Sequence, residues 1–207
     1  MAIIQGLRYA LHVIVHPFDG FWDLKHEKRG NLASALIILA ATILAYIGGR
    51  QFTAFLFNYN NKQDLSVLAD TFTVLLLFFL WCTANWCLTS LMDGEGSYKD
   101  IVIASCYALA PYVLITVPLM GLSYCFAQSE ASFYGIMQAI AFIWTGGLLF
   151  FSTMTTHQYT LGKTVITVIC ILVGMAIMMF LGLLFFSVVQ QMLSFLTILY
   201  KEAILRM

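Results

Sequence analysis

Residues 163–189 read KTVITVICILVGMAIMMFLGLLFFSVV, and after the leading lysine the run holds 26 residues without a charge. The hydrocarbon core of a bilayer is about 30 Å thick and takes about 20 predominantly apolar helical residues to cross. Four more runs of comparable character lie upstream, at residues 32–57, 66–92, 101–126 and 133–156. The segments between them, 58–64, 93–100, 127–132 and 157–162, are short and hold the Asn, Asp, Gly or Ser that let a chain reverse. No segment alternates polar and apolar residues with the period of a transmembrane strand, which argues against a β-barrel. Composition agrees: 61% of the 207 residues are hydrophobic and 10% charged, against about 45–50% and about 25% in soluble proteins. Mean hydropathy is +0.90. The expected fold is all-α, an integral membrane bundle of five transmembrane helices.

Both ends of the chain differ from the spans. Residues 1–16 place Ile3, Ile4, Leu7, Leu11, Ile14 and Val15 on one helical face and Gln5, Arg8 and His12 on another. This stretch is too short and polar to cross, and no small-residue cleavage site marks it as a signal peptide. It reads as an amphipathic helix in the headgroup layer, ended by Pro17 and followed by a charged lead. The expected organisation is therefore residues 1–30 as amphipathic helix and lead, and residues 31–207 as the five-helix domain. The tail after residue 189 either continues the fifth helix out of the membrane or lies flat on it. With the N-terminus cytoplasmic, the inner side holds six Lys and Arg (Arg8, Lys25, Lys28, Arg29, Lys99, Lys163) and the outer side four (Arg50, Lys62, Lys201, Arg206). A sixth span folding back near Gly182 gives eight against two, but no polar turn supports it.

Ten Lys and Arg balance ten Asp and Glu. No basic excess is left for a phosphate backbone, so nucleic acid is not an expected partner. The five cysteines lie in apolar runs without a C-x-x-C pair and read as small buried hydrophobes. His12 and His16 have the four-residue spacing of two-histidine metal sites, but no third ligand has a fixed place, and interfacial histidines explain them as well. Residues 93–100 hold three carboxylates and fail the EF-hand pattern. Gly94 and Gly96 are expected to supply a turn there, and Asp100 to cap the third span. Motifs for nucleophilic, zinc-dependent or nucleotide chemistry are missing. The expectation is a non-enzymatic protein with no catalytic residues, no cofactor and no metal; a hydrolase built on His12 and His16 ranks last.

Three stretches are more distinctive: Trp81-Cys-Thr-Ala-Asn85-Trp86, Met92-Asp-Gly-Glu-Gly-Ser97-Tyr98-Lys-Asp100 and Cys106-Tyr107-Ala-Leu-Ala-Pro111-Tyr112. Together with His157-Gln-Tyr-Thr-Leu-Gly-Lys163, they resemble the bacterial branch of the Yip1 domain family, from about Pro17 onward. The resemblance implies five spans, a Tyr-x-x-x-Pro element in the third (Tyr107 and Pro111), and the bacterial cytoplasmic membrane. Eukaryotic relatives place Gly where this chain has Cys106, and they contact Rab GTPases through acidic N-terminal regions. The first 30 residues here are basic and amphipathic, so that partner does not transfer. The functional expectation is a scaffold or accessory subunit for other membrane proteins; the alternative is a small transporter or channel, as an oligomer.

Six residues are candidates for structural or functional work. Asn85, next to Trp86 and deep in the second span, needs hydrogen-bond partners in hydrocarbon and is expected to join helices, or else to meet a substrate. Tyr107 and Pro111, with Pro118 beyond, put two breaks into the third span; broken helices line transporter sites and also merely kink scaffolds. Arg50 and Asp70 flank the same short turn, roughly 12 and 8 Å inward from it at 1.5 Å per residue. Equal depth on antiparallel neighbours predicts an ion pair, unless Gly48-Gly49 ends the first span and leaves Arg50 among the headgroups.

Overall fold

The structure is a computed structural model and describes residues 2–57 and 65–205. The 58–64 break lies outside the described residues. Among the described residues eight α-helices follow one another: α1 (Ala2–Val15), α2 (Pro17–His26), α3 (Leu32–Gln51), α4 (Val67–Leu91), α5 (Tyr98–Ala108), α6 (Ala110–Leu122), α7 (Ala131–His157) and α8 (Leu161–Leu205). A short 3-10 turn, Gln128–Glu130, precedes α7, and there is no strand among the described residues. Five segments are long and apolar enough to cross a membrane, with α5 and α6 together forming the third. The end of the bundle where α3 starts and α7 stops is called proximal below; the other end is distal.

Apolar burial does not drive helices together in lipid, so the interfaces rely on close backbone approach. Their composition fits: Ala35, Cys82, Ala84, Ala104, Cys106 and Ala108 are all buried at helix contacts. The short helix α5 sits innermost, packed on α3, α4 and α7, with α1 and α2 against its proximal part. A bond from the Trp81 indole N–H to the Ser105 hydroxyl (3.2 Å) ties α4 to α5. Helix α6 packs on α3 and α7 around Ala45, Tyr112 and Ala141, and α8 leans on α4 and α7.

Several boundaries differ from the sequence expectation. The first span stops at Gln51 rather than near residue 57, although the helix runs on through Gly48-Gly49. Distal turns hold the chain there: the Ala54 N–H donates to the Ser123 hydroxyl (3.0 Å), and the Tyr124 hydroxyl to the Phe52 carbonyl (2.5 Å). The third span has one break, at Leu109, with Pro111 in the first turn of α6 where its missing N–H is harmless. Pro118 lies inside α6 without ending it. Ser97, not Asp100, is the N-cap of α5; Asp100 sits three residues on and completes a reciprocal capping box. Residues 17–26, most of the charged lead, are helical, because Pro17 is pre-set for a first turn that also holds Asp19.

The N-terminal helix has three faces. Gly6, Ala10 and Val13 are buried against the bundle, and Gln5, Arg8 and His12 are exposed. The large apolar residues Ile4, Leu11 and Val15 also face outward. A Cβ on Gly6 would lie 2.4 Å from the Ser34 hydroxyl, and one on Gly20 2.8 Å from the Val13 Cα, so both glycines permit close backbone contact. The Tyr9 hydroxyl donates to the Asp23 carboxylate (3.0 Å) and joins α1 to α2. Burial, and then the bond to Asp23, push its pKa up.

Candidate functional site

The proximal end encloses a polar centre in which α4, α7, the 92–97 loop and the start of α8 meet. Helix α4 turns Phe78, Cys82, Asn85 and Thr89 inward, at the three- and four-residue spacing of one helical face. Phe79, next to that face, is half exposed. From α7 come Thr153 and His157, and both His157 and Asn85 are 2% exposed.

Hydrogen bonds fix the protonation pattern of this centre. The Gly96 N–H can only donate, and it meets His157 Nδ1 at 3.3 Å. The ring proton therefore sits on Nε2, which donates to Asn85 Oδ1 at 3.1 Å. Asn85 Nδ2 then donates to the Thr153 hydroxyl (3.4 Å), which itself donates to the Leu149 carbonyl (3.0 Å). The chain of donors runs one way from the loop into α7, with the imidazole neutral. Each polar atom of the Asn85 and His157 side chains has a protein partner or faces one, as a buried amide and imidazole require.

Loop geometry explains the glycines. The turn is made by Asp93, at φ 55°, and neither Gly94 nor Gly96 has positive φ. Their role is proximity: a Cβ at Gly94 would lie 2.7 Å from His157 Nδ1, and one at Gly96 2.6 Å from His157 Cε1. Helix α7 ends in a left-handed Gln158, which reverses the chain and stacks Tyr159 on His157 at 5.5 Å. The Tyr159 hydroxyl donates to the Met92 carbonyl (3.1 Å). Burial, and after it the Asp93 charge, push the Tyr159 pKa up. Two lysines cap helix C-termini: Lys163 donates to the Met92 carbonyl (2.7 Å) while lying 4.2 Å from the centre of the Tyr159 ring, and Lys25 donates to the Thr156 carbonyl (2.9 Å) beside Glu95 (3.6 Å).

Of the six candidates, only Asn85 belongs to this centre. Trp86 points away, 44% exposed, edge-on to Tyr98. Tyr107 is fully buried near Gly6 and Ser34, under α1. Pro111 starts α6 within the α3–α6–α7 contact. Arg50 and Asp70 do pair, near the distal end between α3 and α4. Asp70 is 2% exposed, and its second oxygen has no hydrogen-bond partner among the described residues. His12 and His16 stack on each other at 5.1 Å, both exposed. The residues not singled out from sequence are His157, Thr153, Tyr159, Lys25 and Lys163. For His157, Tyr159 and Lys163 the signal was the 157–163 stretch, read as a polar break and a point of family resemblance; nothing in the sequence ties Thr153 or Lys25 to this centre.

An open crevice of about 570 Å³ lies elsewhere, between α1 and the α2–α3 loop, lined by Gln5, Tyr9, Lys28, Arg29, Gly30 and Asn31. In comparison with known protein families, the family described as Yip1 domain matches residues 11–198. No curated protein and no solved structure matches the chain.

Proposed function

We infer that this multi-pass membrane protein, which belongs to the Yip1 domain family, works as a non-enzymatic scaffold or accessory subunit for other membrane proteins. The observation behind this reading is the outer face of α7. Ser132, Gly135, Ala139 and Gly146 follow one another along one helical face and are exposed, with Ile143 standing between the last two. A Cβ built on Gly135 or Gly146 meets nothing within 4 Å. A seam of small residues on a lipid-facing helix suits a second transmembrane helix, because it lets two backbones approach closely.

The transporter reading has less support. The break at Leu109 is packed rather than open, with Cys106, Tyr107 and Ala108 fully buried just before it. The Asn85–His157 centre has its hydrogen bonds committed internally, which suits a latch between α4 and α7 better than a place for substrate. In this reading the chain sits in a bacterial cytoplasmic membrane with its proximal end facing the cytoplasm. Arg8, Lys25, Lys28, Arg29, Lys99 and Lys163 all belong to elements at that end.

Purification in mild detergent tests the proposal. The wild-type chain is expected to bring the same membrane proteins with it repeatedly. The double substitution Gly135→Leu with Gly146→Leu should lose most of them at unchanged melting temperature, since both positions face open space. A wild-type chain recovered alone from its native membrane would overturn the reading.

A further inference from the structure

Helix α8 is 45 residues long, about 67 Å at 1.5 Å per residue, more than twice the thickness of a bilayer core. Its first part packs on α4 through Thr164, Thr167, Ile171 and Gly174. From Leu181 to Glu202, every described side chain is exposed except the half-buried Val189. Lys163 and Thr167 lie level with Met92 at the proximal end. Counting about 20 residues on from there brings the helix to the distal interface near residues 183–187.

The sequence changes character at that depth. Residues 165–186 are apolar on all sides apart from Thr167. Beyond them Ser187, Gln190, Gln191, Ser194, Thr197, Lys201 and Glu202 fall within an arc of about 140° at ~100° per residue. Val188, Met192, Phe195, Leu196, Leu199 and Ile204 occupy an opposite arc of about 180°, and Ile198 and Leu205 intrude on the polar side. A straight α8 would hold this broad apolar face in water.

We propose that residues 187–205 are a membrane-surface anchor: an amphipathic helix seated in the lipid headgroup layer at the distal end, its apolar arc on the acyl chains and Lys201 at the phosphates. Three observations favour lipid as the occupant. The polar stripe begins where the span ends, so the headgroups are the surface within reach. The apolar arc is wider than the a/d seam that a second copy of α8 would need. Gln190, Gln191, Ser194 and Thr197 would all sit in hydrocarbon if the segment crossed back. Seating the helix requires α8 to turn between residues 182 and 187, where Gly182 has open space around it.

Site-directed spin labelling of the full chain tests this in vesicles of phosphatidylethanolamine and phosphatidylglycerol. Cys87, Cys125 and Cys170 are replaced by serine, and the fully buried Cys82 and Cys106 are kept. Labels go one at a time on Met192→Cys, Leu196→Cys and Leu199→Cys, and on Gln190→Cys, Ser194→Cys and Lys201→Cys. All six positions are exposed, so a label there disturbs no packing. The first three are expected to be oxygen-accessible and shielded from a water-soluble nickel chelate, and the second three the reverse. Equal nickel access at all six would mean a rod in water, and equal oxygen access a crossing helix. Shielding from both reagents with label–label broadening would mean a second copy. Each of these three results would overturn the anchor.

Discussion

Arg50 and Asp70 form an ion pair that bridges the first two spans, with the Arg50 side chain still 28% exposed. Removing one partner of a buried pair leaves a charge whose desolvation nothing offsets. Arg50→Leu is therefore expected to lower stability in detergent by roughly 2 kcal/mol, below the fully buried case because Arg50 is partly solvated. Adding Asp70→Leu should recover much of that loss, and additive losses on unfolding would show that the pair contributes nothing. At the proximal end, Gly96→Ala drives a methyl against His157 and Thr156 and is expected to cost about 1–3 kcal/mol, read as a lower melting temperature. The distal pair was legible in the sequence because both residues flank one short turn, so counting along two helices gives their depths. The proximal centre was not. Asn85 and His157 lie 72 positions apart, and their meeting depends on α4 and α7 being neighbours, which periodicity does not tell. Asn85 alone announced a need for partners, because an amide in hydrocarbon is costly unpaired.

Among the elements, length and hydropathy located the five spans, since a bilayer sets a minimum that a chain cannot evade, though the first ends at Gln51 rather than near residue 57. What they missed was local hydrogen bonding. Ser97 and Asp100 share the cap of α5, and Pro118 is absorbed within α6, because each outcome turns on single backbone groups rather than on composition. The N-terminal helix carries the same lesson. Its large residues gave the amphipathic pattern, but the closest contact with the bundle is made by Gly6, Ala10 and Val13, with Leu7 and Ile14 half-buried beside them, and Ile4, Leu11 and Val15 are left for lipid. Gly6→Leu should accordingly pry α1 off α3 and α5 while the five spans persist. Limited proteolysis is expected to cut the variant after Arg8 far faster than the wild type, at unchanged helical content. Equal cutting rates would place α1 away from that contact.

For the molecule as a whole, the orientation proposed above puts the 127–130 turn outside the cytoplasm. Ser129→Cys and Asn61→Cys should both react with an impermeant thiol reagent in intact cells, in the same cysteine background used for spin labelling. Reaction only after lysis would invert the topology. The two ends of the bundle then have distinct roles: an ion pair between α3 and α4 distally, and a closed hydrogen-bonded centre between α4 and α7 proximally. That the proximal centre is a latch, with its polar groups spent on each other, is the claim on which the non-catalytic reading depends. A double-mutant cycle on Asn85→Leu and His157→Leu, by reversible unfolding in detergent, tests it most directly. Each substitution alone is expected to cost about 1 kcal/mol, and the pair less than their sum by about 0.5–1.5 kcal/mol, the coupling of a transmembrane hydrogen bond. Strictly additive losses, or single variants as stable as the wild type, would contradict the latch and reopen the centre as a site for substrate.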